Sequence, residues 1–374
     1  MKIIEGKYNK ARIHTNIIEE NVIEQIKEMC DLEELKNSKI EIMPDCHSGK
    51  GCVIGTTIVQ DMFSPINPSY VGVDIGCGVS AIEVSISDND FNEEKLFTVL
   101  DNAIIKGIPY GTNVRKKDVI DDECFGLLQC LKKIDDKTIE RAKKSLGTLG
   151  GGNHFIEVDK MNNGNYLIVV HSGSRNLGKK VAEYYMSIAN ENGFLINKSD
   201  IFDYLMDISF CQKFAKYNRK LILDILYLHL KKNFECVKVE KSYSSIHNFV
   251  EVLDVENDNV IIRKGAIPSY EGDTLLIPIN MRDGMIIGKG KSNKSINCSA
   301  PHGAGRLMGR GQAKRELSLE EFKNQMEGIH SICVSEDTLD EAPNAYKPIE
   351  SILENISEMV TIEEVVKPIY NFKA

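Results

Sequence analysis

The amino-acid sequence predicts an α+β fold of layered sheets and helices in one compact domain. Runs typical of strands and runs typical of helices are interspersed without a clean strand–helix–strand alternation, which argues against a doubly wound parallel sheet. No linker-like stretch divides the 374 residues, so we expect one domain over residues 1–374. Hydrophobic residues make up 42% and charged residues 27% of the chain, as in globular rather than disordered proteins.

The first half of the chain begins with a predicted helix. Residues 16–30 carry apolar residues at helical spacing, with Asn16 or Thr15 as the candidate N-cap. Between residues 40 and 87, short β-branched runs are broken by Gly and Pro, which predicts strands and tight turns. Further helices are predicted over residues 91–106 and 134–146.

In the second half, the run NYLIVVH (165–171) predicts a buried strand that ends on a histidine. A helical block follows over residues 176–233. Ser318 and Glu321 form a capping-box pair that opens another helix. The remaining elements are strands near 258–263 and 274–279 and a short final segment, EEVVKPIYNFKA (363–374).

Several classes of protein are excluded by composition. No run of about 18 apolar residues exists, so we expect no membrane-spanning helix. The N-terminus lacks the apolar core of a secretion signal, which predicts a cytoplasmic protein. The ten cysteines are scattered and include no CxxC pair, so reduced thiols are expected rather than disulfides or a zinc ribbon.

The net charge of −9 argues against unspecific coating of nucleic acid, but the charge is unevenly distributed. Residues 282–315 hold eight Lys/Arg and one Asp, a net +7, whereas residues 316–374 hold thirteen Asp/Glu and four Lys, a net −9. A basic stretch in an acidic chain favours a local anion site, with a solvated loop face as the alternative.

A carboxylate and a thiol lie three residues apart in the run VGVDIGCGVS, where glycines permit a tight backbone around Asp74 and Cys77. With His154, His171 and His247 they form a ligand set suited to two divalent cations that share one thiolate. A Gly-rich turn with a buried cysteine is the alternative. Thiolate and imidazole favour Zn²⁺, whereas carboxylate and phosphate oxygens favour Mn²⁺ or Mg²⁺, so the donors leave the metal open.

Two Gly-rich segments are suited to phosphate. In GTLGGGNHFIE (147–157), three glycines let backbone N–H groups approach an anion, and Asn153 and Glu157 offer polar contacts. In the segment 299–315, His302 lies near Arg306 and Arg310, so its imidazole is a candidate nucleophile toward phosphorus. An anion-binding loop in which His302 only donates or accepts a hydrogen bond is the alternative.

The sequence resembles the RtcB-type RNA-splicing ligases. The resemblance rests on eight strings that occur in the family's order within about residues 40–373, and their joint occurrence is highly specific. These strings are MPDCHSGKGCVIG (43–55), VGVDIGCG (71–78), LGTLGGGNHFIEV (146–158), VVHSGSRNLG (169–178), HNFVE (247–251), RKGA (263–266), HGAGR (302–306) and DEAPNAYK (340–347).

The resemblance implies a role for individual residues. His302 would be the histidine that GTP guanylylates. One manganese ion would be held by Asp74, Cys77 and His154, and the other by Cys77, His171 and His247. The residues implied in nucleotide binding are Asn153, His154, Phe155, Ile156, Glu157, His247, Asn248, Pro278, Ile279, Asn280, Met281, Met285, His302, Gly303, Ala304, Gly305 and Lys373.

The implied activity is a GTP-dependent ligation of RNA with two Mn²⁺ ions per chain, Zn²⁺ or another divalent ion being the alternative. RNA ends carrying a 3′-phosphate or a 2′,3′-cyclic phosphate would be joined to 5′-OH ends, in RNA repair or tRNA splicing. The expected partners are RNA, GTP and an archease-like activator, with no membrane.

The chain departs from the family in one loop. A PGSMG-type segment is usual there, whereas this chain has IPINMRDGMIIGKGK (277–291), in which Ile279 and Asn280 replace small residues. The chain is also short for the family, so an RNA-binding insertion is expected to be absent. Two other hypotheses stay open: a dinuclear phosphohydrolase or cyclic phosphodiesterase without nucleotidyl transfer, and a non-catalytic repair factor that binds RNA or nucleotide.

Overall fold

The computed structural model describes residues 2–119, 125–126, 128–130, 134–254 and 259–373. The first part of the chain forms a six-stranded sheet with one helix against it. Its elements are β1 (Lys2–Glu5), β2 (Lys10–Ile13), α1 (Glu20–Cys30), β3 (Lys39–His47) and β4 (Ile54–Asp61). Strands β9 (Asn248–Asp254) and β10 (Asn259–Lys264) complete the sheet, in the order β1-β2-β3-β4-β10-β9.

A seven-stranded antiparallel sheet forms the second layer. Its strands are β5 (Gly78–Ser87), β6 (Phe155–Lys160), β7 (Tyr166–Ser172), β8 (Cys236–Ile246), β12 (Thr274–Asn280), β13 (Gly284–Gly290) and β15 (Val360–Lys373). Their order in the sheet is β12-β13-β15-β6-β7-β5-β8. A short pair, β11 (Ala266–Pro268) and β14 (Ser299–Pro301), lies beside them. The α+β prediction is confirmed.

Helices cover these sheets. They are α2 (Glu93–Gly107), α3 (Asp136–Ser145), α4 (Arg175–Ile188), α5 (Lys198–Asn233), α6 (Arg310–Glu316), α7 (Leu319–Gln325) and α8 (Ile349–Leu353). Short polar side chains set their starts: Asn92 accepts from Lys95 N at 2.8 Å, and Asp135 accepts from Thr138 N at 2.7 Å. Ser318 caps α7 by accepting from the backbone N–H of Glu321. The predicted capping box is only half formed, because the side chain of Glu321 accepts from Asn344 Nδ2 at 2.7 Å.

Two hydrophobic clusters hold the seven-stranded sheet in place. One face packs on α2 and α5, with Ile82, Leu100 and Leu226 at its centre. The other face contributes Val169 and Met285 to a separate cluster. Burial of each such leucine stabilises the fold by about 2 kcal/mol of transfer free energy. The strands between the two clusters are therefore firmly packed and can support a site at their ends.

Three sequence-based expectations were wrong in detail. Helix α1 begins at Glu20 rather than at residue 16, because Thr15 Oγ1 accepts from Ile17 N in a local turn and no side chain caps the helix. The helical block 176–233 is interrupted between α4 and α5, and Asn197 caps the second helix. The final segment is not short: it belongs to the 14-residue strand β15. Residues 258 and 374, which two predicted elements include, lie outside the described residues.

In the described part of the chain, no helix is both long and apolar enough to cross a membrane.

Candidate functional site

Four neighbouring strands bring the predicted metal ligands together. In the sheet order β6-β7-β5-β8, Phe155 pairs with His171, and Gly78 pairs with both Ser172 and Ile246. The residues just before or after these pairs are therefore near neighbours, which places His154, Cys77 and His247 around His171. The turn before β5 also needs a glycine, because Gly76 has φ +70° and a Cβ there would lie 2.9 Å from the Cα of Gln212.

The five side chains form two groups that share Cys77. In the first group, Asp74 Oδ2 lies 2.9 Å from His154 Nε2, and Cys77 Sγ lies 3.5 Å from the same nitrogen. In the second group, Cys77 Sγ lies 3.3 Å from His171 Nε2, which is 3.4 Å from His247 Nε2. The ligand atoms of each group lie within 4.8 Å of one another, a spacing that one cation can fill.

The protonation states around this cluster suit metal binding. Burial lowers the pKa of His171 and of His247 well below the usual value, so both rings are neutral ligands at neutral pH. Burial raises the pKa of the Cys77 thiol well above its usual value, and a bound cation reverses this by stabilising the thiolate. The backbone carbonyl of Asn153 accepts from His171 Nδ1 at 3.0 Å, which leaves Nε2 as the coordinating atom.

Arg175 lies beside the first group of ligands, with its Nη1 3.0 Å from His154 Nδ1. Although burial opposes ionisation, the hydrogen bond with His154 lowers the pKa of Asp74 to about 2, and the charge of Arg175 acts in the same direction. Coordination of a cation through Nε2 would place the ring proton of His154 on Nδ1. Arg175 would then give up this contact, because two donors cannot share the nitrogen.

A cavity of about 250 Å³ adjoins the cluster. Thirteen of the seventeen residues that the resemblance implies for the nucleotide line it. They are Asn153, Phe155, Glu157, His247, Pro278, Ile279, Asn280, Met281, His302, Gly303, Ala304, Gly305 and Lys373. His47, Arg306, Arg310, Tyr346 and Asn371 are also in the lining. The cavity is thus lined by two histidines of the candidate metal-binding cluster together with cations and aromatic rings.

His302 lies between this cavity and the metal-ligand cluster. Its ring centroid is 4.7 Å from that of His247. Asp45, which is fully buried in β3, accepts from the Nδ1 of His302 at 2.6 Å and from its backbone N–H at 3.0 Å. A carboxylate bound to Nδ1 fixes the tautomer in which Nε2 carries the lone pair, so Nε2 is the nucleophilic nitrogen of the ring.

The cations in the cavity lining are held by one carboxylate. Glu341 binds Lys373 and Arg306, and it accepts from Tyr346 Oη at 2.6 Å. Arg310 lies 3.0 Å from the same carboxylate. Although burial opposes ionisation, the neighbouring Lys373 and Arg310 lower the pKa of Glu341 to about 2, so it stays ionised and holds the cations in position.

Glu157 is the second acidic group of the cavity. Asn371 Nδ2 donates to its Oε2 at 2.6 Å, while Oε1 is buried and has no hydrogen-bond partner among the described residues. Burial raises the pKa of Glu157 to about 7. Asp159 is buried behind it on the same strand, and burial together with Glu157 raises the pKa of Asp159. The free oxygen of Glu157 is available to accept a hydrogen bond from a ligand.

The loop that departs from the family pattern, residues 277–291, forms the hairpin between β12 and β13, and the side chain of Asn280 stabilises its turn. Its Oδ1 accepts from Arg282 N at 3.0 Å and Asp283 N at 2.9 Å, and its Nδ2 donates to Asp283 Oδ2 at 2.8 Å. Although Asn280 lines the cavity, its polar atoms are therefore engaged within the loop. Ile279 and Met281 are buried and offer apolar contact.

Four residues of the implied nucleotide set do not line the cavity. Ile156 points to the opposite face of β6 and packs against the α2–α5 cluster, and Met285 packs in the cluster on the other face. Asn248 instead stabilises the loop that carries Asp74: its side chain donates to Asp74 O at 3.2 Å and accepts from Gly265 N at 3.0 Å. His154 belongs to the ligand cluster.

Sequence reasoning missed the supporting carboxylates and Asn371. Asp45 and Glu341 stand within two of the quoted strings, 43–55 and 340–347, but no spacing rule links them to partners 257 and 32 residues away. His47 lines the cavity, and burial lowers its pKa to about 4. For Asn371, the only signal was its position two residues before Lys373.

Fold and site together define an α+β protein in which two candidate metal-binding groups share Cys77 and adjoin a cavity of about 250 Å³. The family model described as tRNA-splicing ligase RtcB matches residues 25–129 and 124–374, so the chain belongs to the RtcB family.

Three relatives illustrate the similarity. RNA-splicing ligase RtcB of Escherichia coli K12 is 30% identical over 361 residues, which cover 86% of this chain and 87% of the relative. RtcB1 of E. coli ATCC 25922 is also 30% identical, with the same coverage. The tRNA-splicing ligase RtcB of Nanoarchaeum equitans is 26% identical over 95% of this chain and 93% of its own length.

Proposed function

We propose that the protein is an RNA ligase that uses GTP and Mn²⁺ to join RNA 3′-phosphate or 2′,3′-cyclic phosphate ends to 5′-OH ends. The observation that carries the proposal is the position of His302. The carboxylate of Asp45 accepts a hydrogen bond from Nδ1 of His302. The ring of His302 contacts the candidate metal ligand His247, and both histidines line the cavity. The relatives are named RNA-splicing and tRNA-splicing ligases, which supports RNA as the substrate.

In the first step, His302 Nε2 attacks the α-phosphorus of GTP. The P–N bond forms as the bond to the β-phosphate oxygen breaks, and pyrophosphate leaves. Asp45 keeps the proton on Nδ1 and stabilises the positive charge that develops on the ring. Arg306 and Arg310 line the same cavity and offset charge on the phosphoryl oxygens.

Two transfers to RNA complete the reaction. An oxygen of the RNA 3′-phosphate attacks the guanylyl phosphorus, and the P–N bond to His302 breaks. The 5′-OH oxygen of the second RNA end then attacks the activated 3′-phosphate, and GMP leaves. A 2′,3′-cyclic phosphate must first be opened by water. Each step is an in-line displacement, for which positioning and charge stabilisation matter most.

We assign two manganese ions to the cluster. Asp74, Cys77 and His154 would hold one, and Cys77, His171 and His247 the other. The donor set fits a pair of divalent ions, since both groups converge on one sulfur and each lies within coordination reach. When bound, the ions supply charge stabilisation at successive phosphoryl oxygens. Zn²⁺ is the alternative that the sulfur and imidazole donors favour.

We assign the guanine base to the end of the cavity near Glu157 and Phe155. A carboxylate with a free oxygen accepts from the N1–H and the exocyclic amino group of guanine, whereas adenine presents an acceptor at N1. Lys373 lies 5.5 Å from the centroid of the Phe155 ring, so a base would meet an aromatic face beside a cation. A single catalytic domain, an archease-like activator and a cytoplasmic location stay predictions.

The second candidate function is a dinuclear phosphohydrolase or cyclic phosphodiesterase. The hairpin between β12 and β13 favours a hydrolase, because the side-chain amide of Asn280 is hydrogen-bonded within the turn and is not free to bind a nucleotide.

One assay separates the two functions. The protein is incubated with Mn²⁺, a labelled RNA ending in a 2′,3′-cyclic phosphate and a 5′-OH RNA, with and without GTP. The proposal predicts a joined product only with GTP and none from His302→Ala. Ring opening without joining would favour the hydrolase.

A further inference from the structure

We propose that a groove between α5 and β8 binds a single-stranded segment of the RNA substrate, outside the cavity that holds the reacting groups. The inference rests on the proposed RNA ligase function and adds a surface to it. We name this surface the lysine groove and define it by Lys213, Lys216, Tyr217, Lys220, Lys241 and Tyr243.

The lysine groove passes over β8, the edge strand of the seven-stranded sheet. It consists of a cavity of about 760 Å³ between α5 and β8 and one of about 670 Å³ beside β8. The two cavities share Lys216, Tyr243 and the serines on either side of Tyr243. Each is larger than the 250 Å³ cavity at His302, so together they offer room for a chain rather than a small molecule.

Charge favours a polyanion in the lysine groove. Lys213, Lys216 and Lys220 recur at helical spacing on the exposed face of α5. Lys241 lines the cavity of about 670 Å³ from the other face of β8, on the side of Glu83. Lys220 pairs with Asp224 at 2.7 Å, and Lys241 lies 3.8 Å from Glu83. Among the ion pairs of the described residues, none involves Lys213 or Lys216. Two uncompensated cations on an acidic chain form a local anion site.

The aromatic residues distinguish RNA from other polyanions. Tyr217 lies between the lysines on the same helix face, and 45% of it is exposed. Tyr243 is half-buried on the other face of β8, where its hydroxyl donates to Glu83 at 3.2 Å, so Tyr217 is the aromatic ring that lies among the lysines of α5. Basic side chains interleaved with aromatic faces are the arrangement that binds single strands, with phosphates on the cations and bases stacked on the rings.

The groove is physically connected to the metal-ligand loops. Its lining ends at Ile246, the residue before the ligand His247. Ser80 in its floor lies 3.2 Å from Ser244 and accepts from Arg219 Nε at 3.0 Å. The same Arg219 donates to Gly76 O and to Ser172 O, both at 2.8 Å. These carbonyls belong to the residues that adjoin Cys77 and His171, so a strand in the groove lies against the support of the metal centre.

The test measures binding of an unstructured, fluorescent RNA with a 3′-phosphate by anisotropy, over a range of salt concentrations. The variant Lys213→Ala/Lys216→Ala is compared with Lys106→Ala/Lys232→Ala, which removes the same charge from exposed positions outside the lysine groove. We expect the groove variant to bind roughly tenfold more weakly and its salt slope to fall by about 1.4, or about 0.7 per lost phosphate contact. The control variant should change neither.

Stacking is tested at Tyr217. Tyr217→Phe keeps the aromatic face and should bind like the unaltered protein, whereas Tyr217→Ala should lose about tenfold in affinity. Equal RNA affinities for all variants would overturn the proposal that RNA binds in the lysine groove. Binding of polyglutamate that matches the affinity for RNA would overturn the assignment to RNA.

Guanylylation of His302 by GTP serves as the independent readout. The groove variants should label as well as the unaltered protein, because they touch no residue of the cavity. If GTP does not label the unaltered protein but the protein binds RNA through the lysines, the proposed ligase function is wrong and the RNA-binding role of the groove is supported. If GTP labels the unaltered protein and the groove variants bind RNA normally, only the RNA-binding role of the groove is wrong.

Discussion

In the proposed mechanism, Asp45 determines which nitrogen of His302 attacks GTP, so replacement of Asp45 should slow guanylylation without lowering the metal content. Its Oδ2 accepts from the ring Nδ1 at 2.6 Å, from His302 N at 3.0 Å and from Gly303 N at 3.3 Å. Asp45→Ala removes this acceptor and frees the ring to adopt the other tautomer. A lost hydrogen bond to a charged group costs about 1.5–3 kcal/mol. Loss of the ring contact plus part of the backbone contacts then amounts to about 2–4 kcal/mol, or roughly 30- to 1,000-fold in rate.

The assay is single-turnover labelling of the protein by GTP carrying a radioactive α-phosphate. Glu41→Gln is the matched control, because Glu41 is also fully buried in β3 and binds a histidine, His14 Nε2, at 2.8 Å. Both substitutions perturb the strand, but only Asp45 adjoins the cavity. Asp45→Asn, which keeps an uncharged acceptor, should fall between Asp45→Ala and the unaltered protein. Equal labelling rates for Asp45→Ala and Glu41→Gln would show that Asp45 does not orient His302 for attack.

Three further predictions concern the metals, stability and nucleotide binding. Cys77→Ser should lower the metal content toward zero ions per chain by elemental analysis, since both ligand groups use Sγ; loss of a single ion would contradict the shared ligand. Glu341 has its pKa lowered to about 2 in the folded state, so it contributes roughly 3 kcal/mol of stability that is present above pH 4.5 and lost as the pH falls toward 2. Urea unfolding should therefore show a weaker acid dependence for Glu341→Gln, and an unchanged profile would count against the prediction. Because burial raises the pKa of Glu157 to about 7, GTP should bind roughly tenfold more tightly at pH 8 than at pH 6. Calorimetric titration should show a flat dependence for Glu157→Gln, and a dependence as steep as that of the unaltered protein would contradict the assignment.

Local patterns in the sequence predicted the elements well where hydrophobic periodicity was strong. The strand that delivers His171 and the helix over residues 91–106 occur within two residues of their predicted bounds. The final strand was missed because it contains Pro368, which normally argues against a central strand. The structure accommodates the proline at a register shift between Pro368 and Tyr370, where the pairing of β15 with β6 is interrupted.

The site was predictable to the extent that its residues stand beside glycine-rich turns. Asp74, Cys77 and the three ligand histidines were candidates on chemistry alone, and the structure brings all five together. The carboxylates that orient the site carry no such signal. Asp45 lies in an ordinary-looking strand and Glu341 in a short 3₁₀ turn, and each becomes recognisable only when folding brings it to a distant histidine or lysine.

In the proposed reaction, His302 carries the nucleotide through a P–N bond. This bond is detected most directly by incubating the protein with Mn²⁺ and GTP labelled at the α-phosphate and then separating it on a denaturing gel. We expect a labelled band that acid removes and alkali does not, and no band for His302→Ala. A band that survives in His302→Ala, or no band in the unaltered protein, would rule out His302 as the carrier.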